Sequence, residues 1–463
     1  MRAGSGGPSG ETAEAFRGVA GGRASHVYWC EQAWLPEGVT DGVLVEIEGV
    51  RIARISQGPP GSAERLAGLT VPGLANAHSH AFHRALRGSA QEGQGDFWTW
   101  RERMYAVAGK LDPGSYLRLA RAVYAEMALA GVTCVGEFHY LHHGEDGRPY
   151  DDPNAMGHAL IQAARDAGLR IALLDTCYLS GGIGAPLTDT QLRFTDGDAE
   201  GWETRAEELV AAYDGQPDVE IGAAIHSVRA VPPEQMPVVA EFSHRNAAPL
   251  HVHVSEQQAE NTACIEMYAA TPVQVLHERG VLGPRSTAVH ATHLTDVDIE
   301  LLGQSGSYVC MCPTTERDLA DGVGPARAAA DRGASITLGS DSHAVIDLFE
   351  EARAVELDER LATHTRGHWR ADELLTAATV TGHTSLGFPG AGLLVPGAWA
   401  DLVSVRLDSV RTAGARGLEA VVYAATAADV HAVVSGGRRV VTEGRHVLGD
   451  VGPMLIEAIA ALR

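Results

Sequence analysis

The segment ANAHSHAFHRALRG, residues 75–88, places His78, His80 and His83 within six residues. His78 and His80 are two apart. On a β-strand that spacing puts both imidazoles on one face, where they can grip one ion. Groups of the same chemistry recur downstream: His226 with Arg229, His251 and His253 with Glu256, His290 with His293, and Asp341 with His343. Neutral imidazoles and a carboxylate suit Zn²⁺ or a similar divalent ion, and such an ion makes water nucleophilic at neutral pH. A lone histidine at a strand end is most often a satisfied polar residue. Donors recurring in order along the chain favour a metal centre at His78, His80, His253 and Asp341. His251 shares a face with His253 but lies deeper, which assigns it to packing or to support behind the ligands.

These residues end short apolar runs. The runs are GLANAHSH, GVTCVGEFHY, LRIALLDTCY, VEIGAAIHSV, PLHVHVSE, TAVHATH, SYVCMCPTT and SITLGSDSH. Most gaps between them carry helical periodicity, as in SYLRLARAVYAEMALAG and ADELLTAATVTGHTSLG. Eight strands alternating with helices predict an α/β fold, a (β/α)8 TIM barrel spanning 71–387. Its active site lies at the C-terminal ends of the strands, where the histidines fall. The first gap is long and holds DFWTWRERMYAVAGK, an expected extra helix near the barrel mouth. It carries Arg101 beside Trp98 and Trp100.

The chain ends read differently. GVLVEIEGVRIARI, ADLVSVRL and DVHAVVSGGRRVVTEGRHVL alternate with period two and break at Glu-Gly and Gly-Gly turns. Residues 24–70 and 388–463 are therefore expected to form one small β-sandwich domain. Residues 1–23, rich in Gly, Ser and Ala without an apolar stretch, are expected to be a disordered tail.

Composition narrows the function. A net charge of -23 over 463 residues repels phosphate backbones and anionic membranes, so neither is an expected partner. No run of about 18 apolar residues is present to span a bilayer. The six cysteines are too scattered for a disulfide framework. Cys310 and Cys312, on one strand face, read as small buried residues. A cytoplasmic location and a homodimer are the default expectations.

The ordered set of an HxH strand, a strand-five His, a strand-six His and a strand-eight Asp resembles the amidohydrolase superfamily. The small domain from both ends does too. Longer words, NAHSHAFHRAL, FWTWRERMY, EFHYLHH, IHSVRAV, HVHVSEQ, VHATH and GSDSH, resemble the formimidoylglutamate deiminase family. The resemblance implies hydrolysis of N-formimidoyl-L-glutamate to N-formyl-L-glutamate and ammonia, in histidine degradation. It implies metal ligands His78, His80, His253 and Asp341, and catalytic residues Glu256, His290 and Asp341. It implies substrate contacts from His83, Arg101, Tyr140, His226 and Arg229. Where that family is expected to carry Gln, this chain has His83. Strand four offers no lysine to bridge two ions, so one metal is expected. Asp341 would then take a proton from water, His290 would stabilise developing charge, and Glu256 would protonate the leaving nitrogen.

Arginine forks match carboxylates bidentately, so Arg101 and Arg229 suit a dicarboxylate substrate. The competing readings are a deaminase or chlorohydrolase acting on a purine, pyrimidine or triazine ring, a non-catalytic barrel scaffold, and a binding protein for acidic metabolites. A neutral ring has no use for two arginines, and a scaffold has no use for a complete ligand set.

Overall fold

The computed structural model describes residues 26–89, 91 and 97–462, without the side chains of Phe97 and Trp98. The tail expected over 1–23 and the side chain of Trp98 thus lie outside the described residues. Eight parallel strands lie in chain order in one sheet. They are Leu74–Ser79, Val132–His139, Arg170–Cys177, Val219–Ser227, Leu250–Val254, Ser286–His290, Tyr308–Met311 and Ser335–Leu338, here barrel strands one to eight. Each coincides with one apolar run of the sequence. Strands one, two, three, five and six are buried at every position. That burial on both faces is why they read as continuous apolar runs and not as alternation.

The barrel closes at its seam through a parallel bridge between Ser79 and Asp341. Asp341 N donates to His78 O at 3.0 Å, and His80 N donates to Asp341 O at 3.3 Å. Closure of the barrel therefore brings together the two ends of the expected ligand set. Gly339 permits the approach: a Cβ there would lie 2.7 Å from the Cβ of His78.

The first insertion forms the Phe97–Ala108 helix, as expected from its sequence. The following helix, Pro113–Leu129, starts at a capping box between Asp112 and Ser115 with Pro at the first turn. All six cysteines are buried and unbridged. Among the described residues no helix is long and apolar enough to cross a membrane.

A second eight-stranded sheet comes from the two chain ends. Its strands are His26–Leu35, Gly38–Glu48, Arg51–Gln57, Glu64–Pro72, Leu402–Val405, Val430–Ser435, Arg438–Thr442 and Arg445–His446. The ends meet where Val71 pairs with Val403. The segment just before strand Leu402–Val405 bonds back to the far edge, with Ile52 N donating to Ala398 O and Ala400 N to Val50 O, both at 2.9 Å. The sheet is thereby curled over its own core of Tyr28, Val43, Val45, Leu66, Leu402 and Val434. The C-terminal region also carries the Val451–Ala460 helix, whose Val451, Leu455 and Ala458 join the core of the barrel side.

A buried ion pair ties the small sheet to the barrel. Arg170, at the start of strand three, reaches Asp401 with N···O distances of 3.1 and 2.6 Å. Asp401 also accepts from Gly436 N at 2.8 Å. The Arg170 guanidinium lies 4.4 Å from the Trp399 ring centroid. This contact is at the end of the barrel opposite the histidines, where strand starts gather.

Candidate metal centre and active site

Barrel strand one ends at Ser79, so His78 and His80 straddle the strand end. Strand two pins that end: Glu137 accepts from Ser79 Oγ and from Ala81 N, both at 2.7 Å. Strand eight pins it from the other side, where Asn76 Nδ2 donates to Ser340 Oγ at 2.7 Å and Asn76 Oδ1 accepts from Ser340 N at 2.9 Å. His343 lies between Ser79 Oγ at 3.2 Å and Ser340 Oγ at 3.0 Å. It supports the seam and does not line the cavity.

The donors converge tightly. His78 Nε2 is 3.2 Å and His80 Nε2 is 3.3 Å from Asp341 Oδ1. His253 Nε2 is 3.0 Å from His78 Nε2. His80 Nδ1 donates to Phe138 O and His253 Nδ1 to His226 O, each at 2.9 Å. A carbonyl can only accept, so both Nδ1 atoms carry the hydrogen and both Nε2 atoms present lone pairs. Burial holds His80 down to about 3, with His78 adding to the effect, and burial also lowers His78 and His253. Asp341 resists burial because His78 and the other imidazoles hold its carboxyl well below the usual range. Neutral imidazole nitrogens aimed at each other and at a carboxylate repel unless a cation lies among them. The donor set fits a divalent metal ion.

His290 belongs to the same cluster: with His78, His253 and Asp341 it has a donor atom within 4.8 Å of each of the others. Its Nε2 is 3.8 Å from Asp341 Oδ2 and 3.9 Å from Glu256 Oε1. Its Nδ1 is 3.5 Å from Glu316 Oε1. Burial opposes its charge, but Glu256, Glu316 and Asp341 outweigh burial and push it up to about 10. Ser255, His290, Asp341 and His343 all have positive φ, between 40° and 67°. Left-handed backbone at non-glycine strand ends is strain held in place by the barrel, and it gathers at this site.

Above the cluster lies a cavity of about 400 Å³. Its lining includes His80, His253, His290, Glu256 and Asp341 together with His83, Arg101, Tyr140, His226 and Arg229. Every site residue expected from the sequence except His78 therefore faces it. His83 Nε2 is 3.0 Å from Tyr140 Oη, whose hydroxyl meets Met104 Sδ at 3.6 Å. His226 meets Tyr178 edge-on, with ring centroids 4.5 Å apart. Arg101 lies over Tyr105, 5.6 Å from the ring centroid. Arg229 Nη2 donates to Glu256 Oε2 at 3.0 Å, and its Nε is 3.7 Å from Glu260 Oε2. His251 is buried beneath, 3.5 Å from Ser385 O, and takes no part in the cavity lining.

Glu137, Glu260, Glu316, Tyr105, Tyr178 and Gln191 were not expected from the sequence. Glu316 and Tyr178, which follow strands seven and three, and Glu137, near the end of strand two, had a detectable signal, since active-site residues gather at strand ends. Glu260, Tyr105 and Gln191 had none, because their roles depend on partners outside their own segments.

The amidohydrolase family model matches residues 69–440. A formimidoylglutamate deiminase of Pseudomonas aeruginosa is 36% identical over 434 residues, covering 90% of this chain and 95% of its own. A 5'-deoxyadenosine deaminase of Methanothermobacter thermautotrophicus is 30% identical, covering 90% of this chain and 94% of its own. A crystal structure of an amidohydrolase from Brucella melitensis superposes with a TM-score of 0.88 at 33% identity, covering 94% of this chain and 99% of that one. With the family match running across the whole barrel and the seam that gathers its histidines, the chain belongs to the amidohydrolase family.

Proposed function

We propose that this chain hydrolyses N-formimidoyl-L-glutamate to N-formyl-L-glutamate and ammonia, with one zinc ion held by His78, His80, His253 and Asp341. One observation carries the reading: a single cavity joins the imidazole–carboxylate cluster to the guanidiniums of Arg101 and Arg229. Two cationic side chains in the cavity of a chain of net charge -23 match a dianionic substrate. The 36% identical relative acts, by its name, on formimidoylglutamate. Strand four, VEIGAAIHS, has no lysine to bridge a second ion.

A bound ion would supply Lewis acidity, which lowers the pKa of water toward about 7. Asp341 takes a proton from the attacking water. The water oxygen adds to the formimidoyl carbon. His290, kept cationic by its carboxylate neighbours, stabilises the charge that develops there. Glu256, 3.9 Å from His290, passes to the imino nitrogen the proton that Asp341 took. The second proton of the water follows to the same nitrogen as the C–N bond breaks, so ammonia leaves and a formyl C=O remains. Arg101, Tyr140, His226 and Arg229 bind the carboxylates, and His83 lies beside the reacting end near His80, with ring centroids 4.5 Å apart.

A second reading, deamination of a ring, draws on the aromatic wall of Trp100, Tyr105, Tyr140, Tyr178 and Phe194. An ammonia-release screen separates the two. It compares N-formimidoyl-L-glutamate with N-formimidoyl-L-aspartate, 5'-deoxyadenosine, guanine and cytosine on metal-loaded protein. The proposal expects N-formimidoyl-L-glutamate to be preferred. Preferential turnover of a ring substrate would overturn it.

A further inference from the structure

Two tyrosines on the cavity wall and the buried Gln191 they bond form a unit whose hydrogen count does not close among the described residues. Gln191 is buried in the 3-10 turn Asp189–Phe194. Its Oε1 accepts from Thr188 N at 2.8 Å and from Thr188 Oγ1 at 2.9 Å. A backbone N–H can only donate, so the amide orientation is settled by chemistry: this atom is the oxygen. The amide nitrogen must then donate. It does so to Tyr178 Oη at 2.8 Å and to Tyr105 Oη at 3.0 Å.

Both phenol oxygens thus act as acceptors toward Gln191. Each phenol still carries its own hydrogen. If one hydroxyl donates to the other, the second hydrogen remains without an acceptor among the described residues. Tyr105 and Tyr178 both line the cavity, and so does Arg101, whose guanidinium lies over the Tyr105 ring. Tyr178 also lies within electrostatic reach of both Arg101 and Arg229. A wall with a spare O–H donor within electrostatic reach of two guanidiniums suits an anionic acceptor.

We infer that Tyr105, Tyr178 and Gln191 form a carboxylate subsite, in which Gln191 holds the phenols as acceptors so that a hydroxyl hydrogen is directed to a substrate carboxylate. The inference rests on the dicarboxylate reading and adds specificity-determining residues to it. Gln191 is a positioning residue; the tyrosines make the contact.

The diagnostic variant is Gln191→Glu. The shape is retained and the Thr188 contacts survive, but a carboxylate now accepts where the amide donated. Both phenol hydrogens turn toward it and away from the cavity. Tyr178→Phe and Tyr105→Phe remove the hydroxyls singly. Steady-state kinetics on N-formimidoyl-L-glutamate should show KM rising about tenfold or more for Gln191→Glu and Tyr178→Phe, with the smaller part of the loss in kcat. The expectation for an exclusively structural Gln191 is the reverse: the near-isosteric Glu variant would keep its KM. Glutarate binding to metal-loaded protein, measured by calorimetry, gives a second readout that needs no turnover. It should weaken by a similar factor in both variants. Unchanged KM and unchanged glutarate affinity in Gln191→Glu and Tyr178→Phe would overturn the subsite. If the wild-type chain releases no ammonia from N-formimidoyl-L-glutamate but binds glutarate through these residues, the reaction assignment fails and the subsite stands. Absence of glutarate binding by the wild type overturns the subsite as well.

Discussion

Replacing Arg229 by Met tests two links at once, because its guanidinium faces both the cavity and two acids. Nη2 donates to Glu256 Oε2 at 3.0 Å, and Nε lies 3.7 Å from Glu260 Oε2. Glu256 is the proposed proton donor to the leaving nitrogen. Losing a hydrogen bond to a charged group costs about 1.5–3 kcal/mol, roughly 10- to 150-fold in rate if it is expressed in the transition state. That loss should appear on any formimidoyl substrate, including N-butylformamidine, which has no carboxylate. N-formimidoyl-L-glutamate should lose a further 30-fold to several thousand-fold, as expected for removal of one partner of a buried charged pair. Burial already pushes Glu260 up against the pull of Arg229, so Glu260 can take a proton when the guanidinium goes, which limits the damage to folding. The assay is kcat/KM on both amidines, with bound metal measured in the same samples. Equal fractional losses on the two substrates would refute carboxylate binding by Arg229. No loss on N-butylformamidine would refute its hold on Glu256.

Other perturbations separate ligands, catalyst and scaffold. His78→Ala, His253→Ala and Asp341→Asn should each lower bound metal by elemental analysis and abolish ammonia release, with a smaller effect on the denaturation midpoint; full activity in metal-free protein would defeat the mechanism. His290→Asn should retain most of the metal and lose about 100-fold or more in kcat, the scale of a lost acid–base or charge-stabilising group; metal lost in step with activity would instead make His290 a required ligand. Glu220, on strand four, is pushed up to about 7 by burial. The folded chain therefore holds this proton while the unfolded chain, near 4.3, has released it. Stability from this group is full below about 4.3 and falls as pH rises through about 7. Glu220→Gln should accordingly raise the melting temperature at pH 8 and leave it nearly unchanged at pH 4; an equal shift at both values would assign the effect to packing.

Much of the architecture was legible from residue order alone. Strands buried on both faces must be apolar throughout, so the eight runs showed themselves as runs, and the polar residues ending them marked the mouth of the barrel. The HxH spacing needed only the period of a strand to put two imidazoles together. The hairpins at the chain ends carried their own Gly turns, at Gly436–Gly437 and Glu443–Gly444. These features are local, and local physics determines them. What the tertiary structure decided is who stands opposite whom. Asp341 meets His78, 263 positions away in the sequence, because strand eight closes on strand one. Arg229 meets Glu256 and Glu260 only because strands four and five are neighbours and their loops turn over the same mouth. Gln191 reaches Tyr105 across 86 residues. Charge pairing and hydrogen-bond direction act over a few ångströms, and chain separation says nothing about distances of that size until the fold has set them.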